Sequence, residues 1–139
     1  MAVSNATAVF SNDIQTVWDV VTSLEQYAWR SDLSRIEVVN EHQFVEYTKE
    51  GYTTSFTTTA KEVCRRWEFD MENENLKGHW TGLFSNKDGQ TVIDFTEDVT
   101  AKKLIMKPFV KGYLKKQQAQ YVQDLMKVLK EKETTRGIW

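Results

Sequence analysis

Four residues at alternate positions, Ile93, Phe95, Glu97 and Val99, put one carboxylate in phase with an apolar run. On a strand all four share a face, because side chains repeat every second residue. A glutamate desolvated there has a raised pKa and can act as a general acid or base. The position also suits a carboxylate at a cavity mouth, hydrogen-bonded to a tyrosine or paired with a lysine of a covering helix. Tyr47, Tyr52, Tyr113 and Tyr121 could bring hydroxyls to that side, since tyrosine joins apolar area to a polar tip; each also reads as ordinary core. Other chemistries find no footing. His42 falls in a predicted turn and His79 on a predicted outward face, and with Cys64 they form no zinc-binding spacing. Without an inward histidine nothing activates a serine nucleophile, and no phosphate loop or dinucleotide fingerprint occurs. No metal or cofactor is expected. Cys64 stands beside Arg65 and Arg66, which could lower its pKa, yet it reads more simply as an unreactive thiol.

Periodicity predicts the elements that position these groups. Residues 6–10 alternate as a short strand. Asn12, with Gln15 three residues on, reads as an N-cap with a variant capping box. It opens an amphipathic helix over 13–23, with Ile14, Val17, Trp18, Val21 and Leu24 at helical spacing. A second short helical turn is expected over 25–29, broken by Ser31-Asp32. The period then becomes two, predicting strands at 34–39, 43–48, 52–61, 65–72, 76–85 and 91–100. Polar turns join them, and Asp88-Gly89 is a strong hairpin signal. Consecutive hairpins imply an antiparallel meander, because parallel pairs need long crossovers. A long helix is expected from Pro108, suited to a first helical turn, to Lys132. Val110, Tyr113, Leu114, Tyr121, Val122, Leu125, Met126 and Leu129 follow its period, and residues 134–139 are expected to be a frayed tail.

Turn lengths predict which strand residues share a face. A loop of residues 48–51 places Tyr47 opposite Tyr52, grouping Val45, Tyr47, Tyr52, Thr54 and Phe56. A turn of residues 72–75 links Trp67, Phe69 and Met71 to Gly78, Trp80, Gly82 and Phe84. The Asp88-Gly89 turn brings Gly82 near Phe95 and Trp80 near Glu97. The opposite face carries Arg66, Glu68, Asp70, His79, Asp94, Thr96 and Asp98. The aromatic face is therefore the inward one, since a one-residue slip would bury the charges instead. Gly78 and Gly82 flank Trp80 there, and glycines inside a strand mark bending or the close approach of a backbone or ligand.

With 139 residues the chain is expected to be one domain, 1–139. Seven Phe, five Trp and five Tyr argue against disorder, and a single Pro with six Gly excludes collagenous sequence. No run approaches the roughly 18 apolar residues of a membrane span, and no signal peptide is expected from Met1-Ala2-Val3-Ser4-Asn5. A lone cysteine fits a reducing cytoplasm. The net charge of −2 is unevenly spread: ten basic and three acidic residues from Ala101 onward give +7, leaving −9 for the rest. Such a helix either complements the acidic body on which it packs or contacts an anionic membrane surface. Nucleic acid is not expected as a partner, because no aromatic surface interleaves the lysines. Oligomeric state is left open.

The order strand, two helices, six-strand meander and long C-terminal helix resembles the helix-grip fold of the START-like superfamily. That group includes polyketide cyclases, plant hormone-binding and allergen proteins, and lipid-transfer domains. The resemblance is carried by Val17-Trp18-Asp19-Val20-Val21-Thr22, by Tyr27-Ala28-Trp29, and by Gly78-His79-Trp80 with Gly89-Gln90-Thr91-Val92. It implies an α+β fold, β-α-α-β6-α, whose curved seven-stranded antiparallel sheet wraps the C-terminal helix around an apolar cavity. Fold does not set function, but the resemblance implies binding of a small hydrophobic, lipid- or polyketide-like molecule. Candidate ligand contacts are Trp29 and the inward Tyr47, Tyr52, Phe56, Trp67, Phe69, Gly78, Trp80, Gly82, Phe84, Phe95 and Glu97, with Tyr113 and Tyr121 from the helix. A non-enzymatic carrier is the leading expectation; the alternative is a cyclase- or dehydratase-like enzyme in which Glu97 and tyrosine move protons.

Overall fold

The computed structural model describes the backbone of residues 2–137 and the side chains of residues 2–133. Strands β1 (Ala2–Phe10), β2 (Leu33–Val38), β3 (Gln43–Thr48), β4 (Thr53–Glu62), β5 (Arg66–Glu72), β6 (Leu76–Lys87) and β7 (Gln90–Ala101) form one sheet. Their order is β1-β7-β6-β5-β4-β3-β2, with every pair antiparallel. Helix α1 (Ile14–Thr22) follows β1, and α2 (Val110–Gly137) follows a 3-10 segment, Leu104–Phe109. The curved sheet with its long C-terminal helix is the α+β helix-grip arrangement.

Local chemistry explains several departures from the expected elements. Asp13, not Asn12, caps α1: its Oδ1 accepts from the Thr16 N–H at 2.8 Å. Asn12 is buried and donates to the Leu129 carbonyl at 2.9 Å, so its amide ties the start of α1 to α2. The second helix expected over 25–29 is absent. Ser23 Oγ accepts from the Gln26 N–H at 3.0 Å, and a turn closes from Arg30 N–H to the Tyr27 carbonyl at 2.9 Å. Such side-chain bonds offer the backbone an alternative to helix. Strand β1 runs back to Ala2 because β7 pairs with its whole length. Its Ser4 is buried yet satisfied, donating to Gln118 Oε1 at 2.6 Å while Gln118 Nε2 donates to the Ser4 and Phe95 carbonyls. Pro108 lies in the 3-10 segment, so α2 begins later, at Val110. The same helix continues through residues 134–137 of the expected tail, and residues 138–139 lie outside the described residues.

The inward face of β5, β6 and β7 matches the expected register: Trp67 opposes Gly82, Phe69 opposes Trp80, Gly82 opposes Phe95 and Trp80 opposes Glu97. The β3–β4 hairpin does not. Gly51 N–H donates to the Thr48 carbonyl at 3.0 Å, Thr48 N–H to the Tyr52 carbonyl at 2.9 Å, and Gly51 has φ 95°. This is a three-residue loop with glycine at its left-handed position, one residue shorter than the expected 48–51 loop. Tyr47 therefore opposes Thr53, while Phe44 opposes Phe56 and Glu46 opposes Thr54. Phe44 and Glu46 take the face expected for Val45 and Tyr47.

Two apolar clusters result. The larger joins Phe44, Phe56, Trp67, Phe69, Trp80, Phe84 and Phe95 of the sheet to Val17, Trp18, Val20 and Val21 of α1 and Leu125 and Leu129 of α2. The smaller joins Val99 and Ala101 to Val110 and Leu114. On β7 the boundary between them falls at Glu97, between buried Phe95 and buried Val99.

Candidate functional site

Three segments bring charged groups together there. The 27–30 turn after α1 carries Arg30 and β3 carries Glu46 in phase with Phe44, and both act on Glu97 of β7; the same turn carries Trp29, which packs on the larger cluster. The Arg30 guanidinium grips Asp32 with two bonds of 3.1 Å and reaches Glu46 at 3.4 Å and 3.5 Å. Its side chain is only 14% exposed and that of Glu46 only 16%, so the pair is largely withdrawn from water. Arg30 also lies 4.8 Å above the Tyr121 ring, a cation–π contact. Trp29 meets Tyr121 edge-on at 5.3 Å, and Tyr121 meets Phe95 at 6.0 Å. Burial opposes the charge on Arg30, but Glu46 and Asp32 outweigh it and hold the guanidinium protonated. Burial likewise pushes the Tyr121 phenol well above its usual range, despite Arg30.

Two groups in this cluster are chemically open. Burial raises the Glu97 pKa to about 7; Arg30 pulls it down and Glu46 pushes it up. Glu97 makes no side-chain hydrogen bond or ion pair among the described residues. A carboxyl shifted this far toward neutrality can donate to or accept from a polar group. The indole N–H of Trp29 is buried without a hydrogen-bond partner. An orphaned buried donor is costly and rare enough to call for an acceptor.

The other expected site residues divide by placement. Phe56, Trp67, Phe69, Trp80, Phe84 and Phe95 face inward but contact one another: Trp80 stacks on Phe69 at 4.7 Å and meets Phe95 at 4.8 Å and Trp67 at 5.7 Å. Gly82 lies beneath the Trp80 indole, where an added Cβ would come 2.3 Å from its ring. Gly78 lies against β7, where a Cβ would come 2.6 Å from the Asp98 carbonyl. Both glycines thus answer to close approach within the protein. Tyr47 is a correction: the hairpin register turns it outward, with Arg35 4.0 Å over its ring. Tyr52, 50% exposed, lies between the three-residue loop and the start of β4 at Thr53. Tyr113 is 45% exposed; burial first, then Glu50, Tyr52 and Glu97, raise its pKa. His79 faces outward as expected, between Asp70 at 2.7 Å and Glu68 at 2.8 Å. Burial, then Asp19 and Asp13, raise the Cys64 pKa, so the neighbouring arginines do not activate it. Sequence reasoning missed Arg30, Asp32 and Glu46; Glu46 becomes inward once the Lys49-Glu50-Gly51 loop is counted as three residues.

The Glu97 pKa carries a stability consequence. A carboxyl whose folded pKa lies above its ordinary 4.5 binds more protons folded than unfolded between that value and about 7. Stability therefore falls as pH rises through that interval, then levels off. Glu97→Gln removes the penalty. Urea unfolding should give equal midpoints near pH 4 and a variant more stable by about 3 kcal/mol near pH 8. Parallel pH profiles for the two proteins would refute the raised pKa.

No protein-family model and no curated protein matches this chain. Solved structures do. A START superfamily protein from Mycobacterium smegmatis aligns with a TM-score of 0.84 at 11% identity, over 93% of this chain and 97% of that one. The di-domain ARO/CYC protein BexL of the BE-7585A biosynthetic pathway gives 0.76 at 9% identity, over 91% of this chain and 45% of its own. DynU16, from the dynemicin biosynthetic locus, gives 0.72 at 12% identity, over 94% and 48%. The chain thus spans about half the length of each of those last two. At such identities the likeness defines architecture, and the chain has the START-like helix-grip fold. Among the described residues no helix is long and apolar enough to cross a membrane, and no group of His, Cys, Asp and Glu side chains could hold a metal ion.

Proposed function

We propose that the chain, acting as a single domain, binds a small and largely apolar molecule between sheet and α2, with the ligand's polar end at Glu97 and Trp29. The observation that carries this reading is a pair of unsatisfied groups: the enclosed Glu97 carboxyl, between two apolar clusters on β7, and the buried indole N–H of Trp29, whose ring packs on Tyr121. Ligand sites are commonly apolar with a few convergent polar groups. A lipid- or polyketide-like molecule bearing a hydroxyl or carbonyl fits that pattern. The lone Cys64 is in keeping with a cytoplasmic setting.

Native mass spectrometry of the freshly purified protein tests this, followed by release and identification of any bound molecule. A discrete organic adduct is expected. Trp29→Phe keeps the ring against Tyr121 but removes the donor, and should weaken the recovered molecule's binding about five- to tenfold; Glu97→Gln should weaken it as well. An apo mass together with no saturable binding of 1-anilinonaphthalene-8-sulfonate would overturn the reading. A second reading is favoured by the Glu97 pKa near neutrality, which suits proton transfer: a cyclase- or dehydratase-like enzyme with Glu97 as acid or base and Tyr121 beside it. Turnover of a cyclisable polyketide-like substrate, abolished by Glu97→Gln, would establish it. Return of the bound molecule unchanged, with no turnover, favours the carrier.

A further inference from the structure

Leu104, Ile105 and Phe109 are the most exposed large apolar residues among those described, at 79%, 79% and 70%, and all three fall in the single 3-10 segment after β7. The segment is not loosely attached. Met106 packs with Val110 and Leu114 against Val99 and Ala101, and backbone bonds run from Met106 N–H to Lys103 and from Val110 N–H to Lys107. Anchoring one side holds the apolar trio outward. Tyr113, one helical turn beyond Phe109, extends the exposed apolar surface.

Charge frames the same patch. Lys102, Lys103, Lys107, Lys111, Lys115 and Lys116 are exposed, and no acidic residue occurs between Asp98 and Asp124. Lys102 pairs with Glu72 at 2.6 Å; the other five make no ion pair among the described residues. An occupant must therefore offer negative charge and an apolar medium together. Nucleic acid supplies charge but little to receive Leu104 and Ile105. A second copy offers the acidic outer sheet face, but Glu68 and Asp70 there are engaged by His79 and Arg66, and Asp94 by Asn5. An anionic bilayer supplies both, and apolar insertion combined with a basic patch is what holds a protein at that interface.

We propose that the Leu104–Phe109 segment and the start of α2 dock on an anionic lipid surface, with Leu104, Ile105 and Phe109 entering the headgroup–acyl boundary and the lysines meeting the headgroups. Docking stands apart from the ligand reading, because it needs no occupant at Glu97.

Flotation of the full chain with vesicles tests it, comparing phosphatidylcholine alone with phosphatidylcholine containing about 30% phosphatidylserine. Binding is expected only to the anionic vesicles, weakening at least tenfold as salt rises from about 0.05 M to about 0.5 M. L104S/I105S/F109S leaves the charge unchanged and should lower binding about tenfold or more. K103Q/K107Q/K111Q should do the same through charge. All six positions are exposed, so unchanged circular dichroism and Tm confirm that both variants fold. Absence of binding to anionic vesicles at low salt overturns the proposal. Serine-variant binding equal to wild type also overturns it, leaving only headgroup charge. Sedimentation as two copies without vesicles, lost in the serine variant, would reassign the patch to self-association.

Discussion

Trp80→Ala should lower the unfolding free energy by about 3–5 kcal/mol, the range for truncating a large aromatic in a close-packed core. Trp80 is 6% exposed and lies among Phe69, Phe95 and Trp67, all with ring centroids within 5.7 Å. Its removal forfeits buried area and three ring contacts, leaving a void too rigidly walled to collapse. Domains this size are stable by about 5–15 kcal/mol, so the variant should stay folded at low denaturant; Trp80→Phe, expected to lose less, is the companion if it does not. A loss below about 1 kcal/mol would mean that the indole borders open space.

The glycine beneath it turns the same contact into a coupling measurement. A Cβ at Gly82 would meet the Trp80 ring at 2.3 Å, and a wide indole wedged between neighbours cannot swing aside. Gly82→Ala should cost about 1–3 kcal/mol by overpacking, and nearly nothing when Trp80 is already alanine. A double-mutant cycle in urea reads the difference. Additive effects would mean that strand bending, rather than the indole, requires the glycine.

Arg30→Met should lose about 3 kcal/mol near pH 7, since removing one member of a buried pair leaves the others uncompensated. The cost arises mainly at Glu46, 16% exposed, because Asp32, at 37%, is screened by water. The loss should ease on acidification. Arg30 is what pulls the Glu97 pKa down, so without it that pKa rises beyond about 7. Groups with raised folded pKa values are harmless when protonated and destabilise as pH climbs. Urea midpoints for wild type and variant should therefore converge toward about pH 5 and separate toward about pH 8. Arg30→Lys keeps the charge but not the two-pronged grip on Asp32, so it should recover only part of the loss. A loss independent of pH would show that Arg30 stabilises by packing on Tyr121 rather than by charge.

Most of the architecture was legible in the chain because it follows from period and turn chemistry. Alternation located six of the seven strands within a few residues, and the Asp88-Gly89 turn set a register that puts Trp80 opposite Glu97. The β3–β4 hairpin shows how narrow that success is. Counting Thr48 as loop rather than as the last paired residue reversed the facing of Tyr47 and hid Glu46, because side-chain direction alternates with every residue. Asn12 was legible as a capping residue, yet it serves the Leu129 carbonyl 117 residues away while Asp13 takes the cap.

By itself the sequence determined the α+β order of elements apart from the second short helix, the aromatic inward face and the presence of one carboxylate within it, since each rests on interactions between residues close in the chain. Tertiary structure alone decided that most of those aromatics pack on one another. It also decided that Arg30 is held between Asp32 and Glu46 over the Tyr121 ring, and that Leu104, Ile105 and Phe109 are left in solvent. The reason is physical: burial, ion pairing and exposure are set by neighbours brought together from distant parts of the chain, and periodicity records the face of a residue but not what meets it.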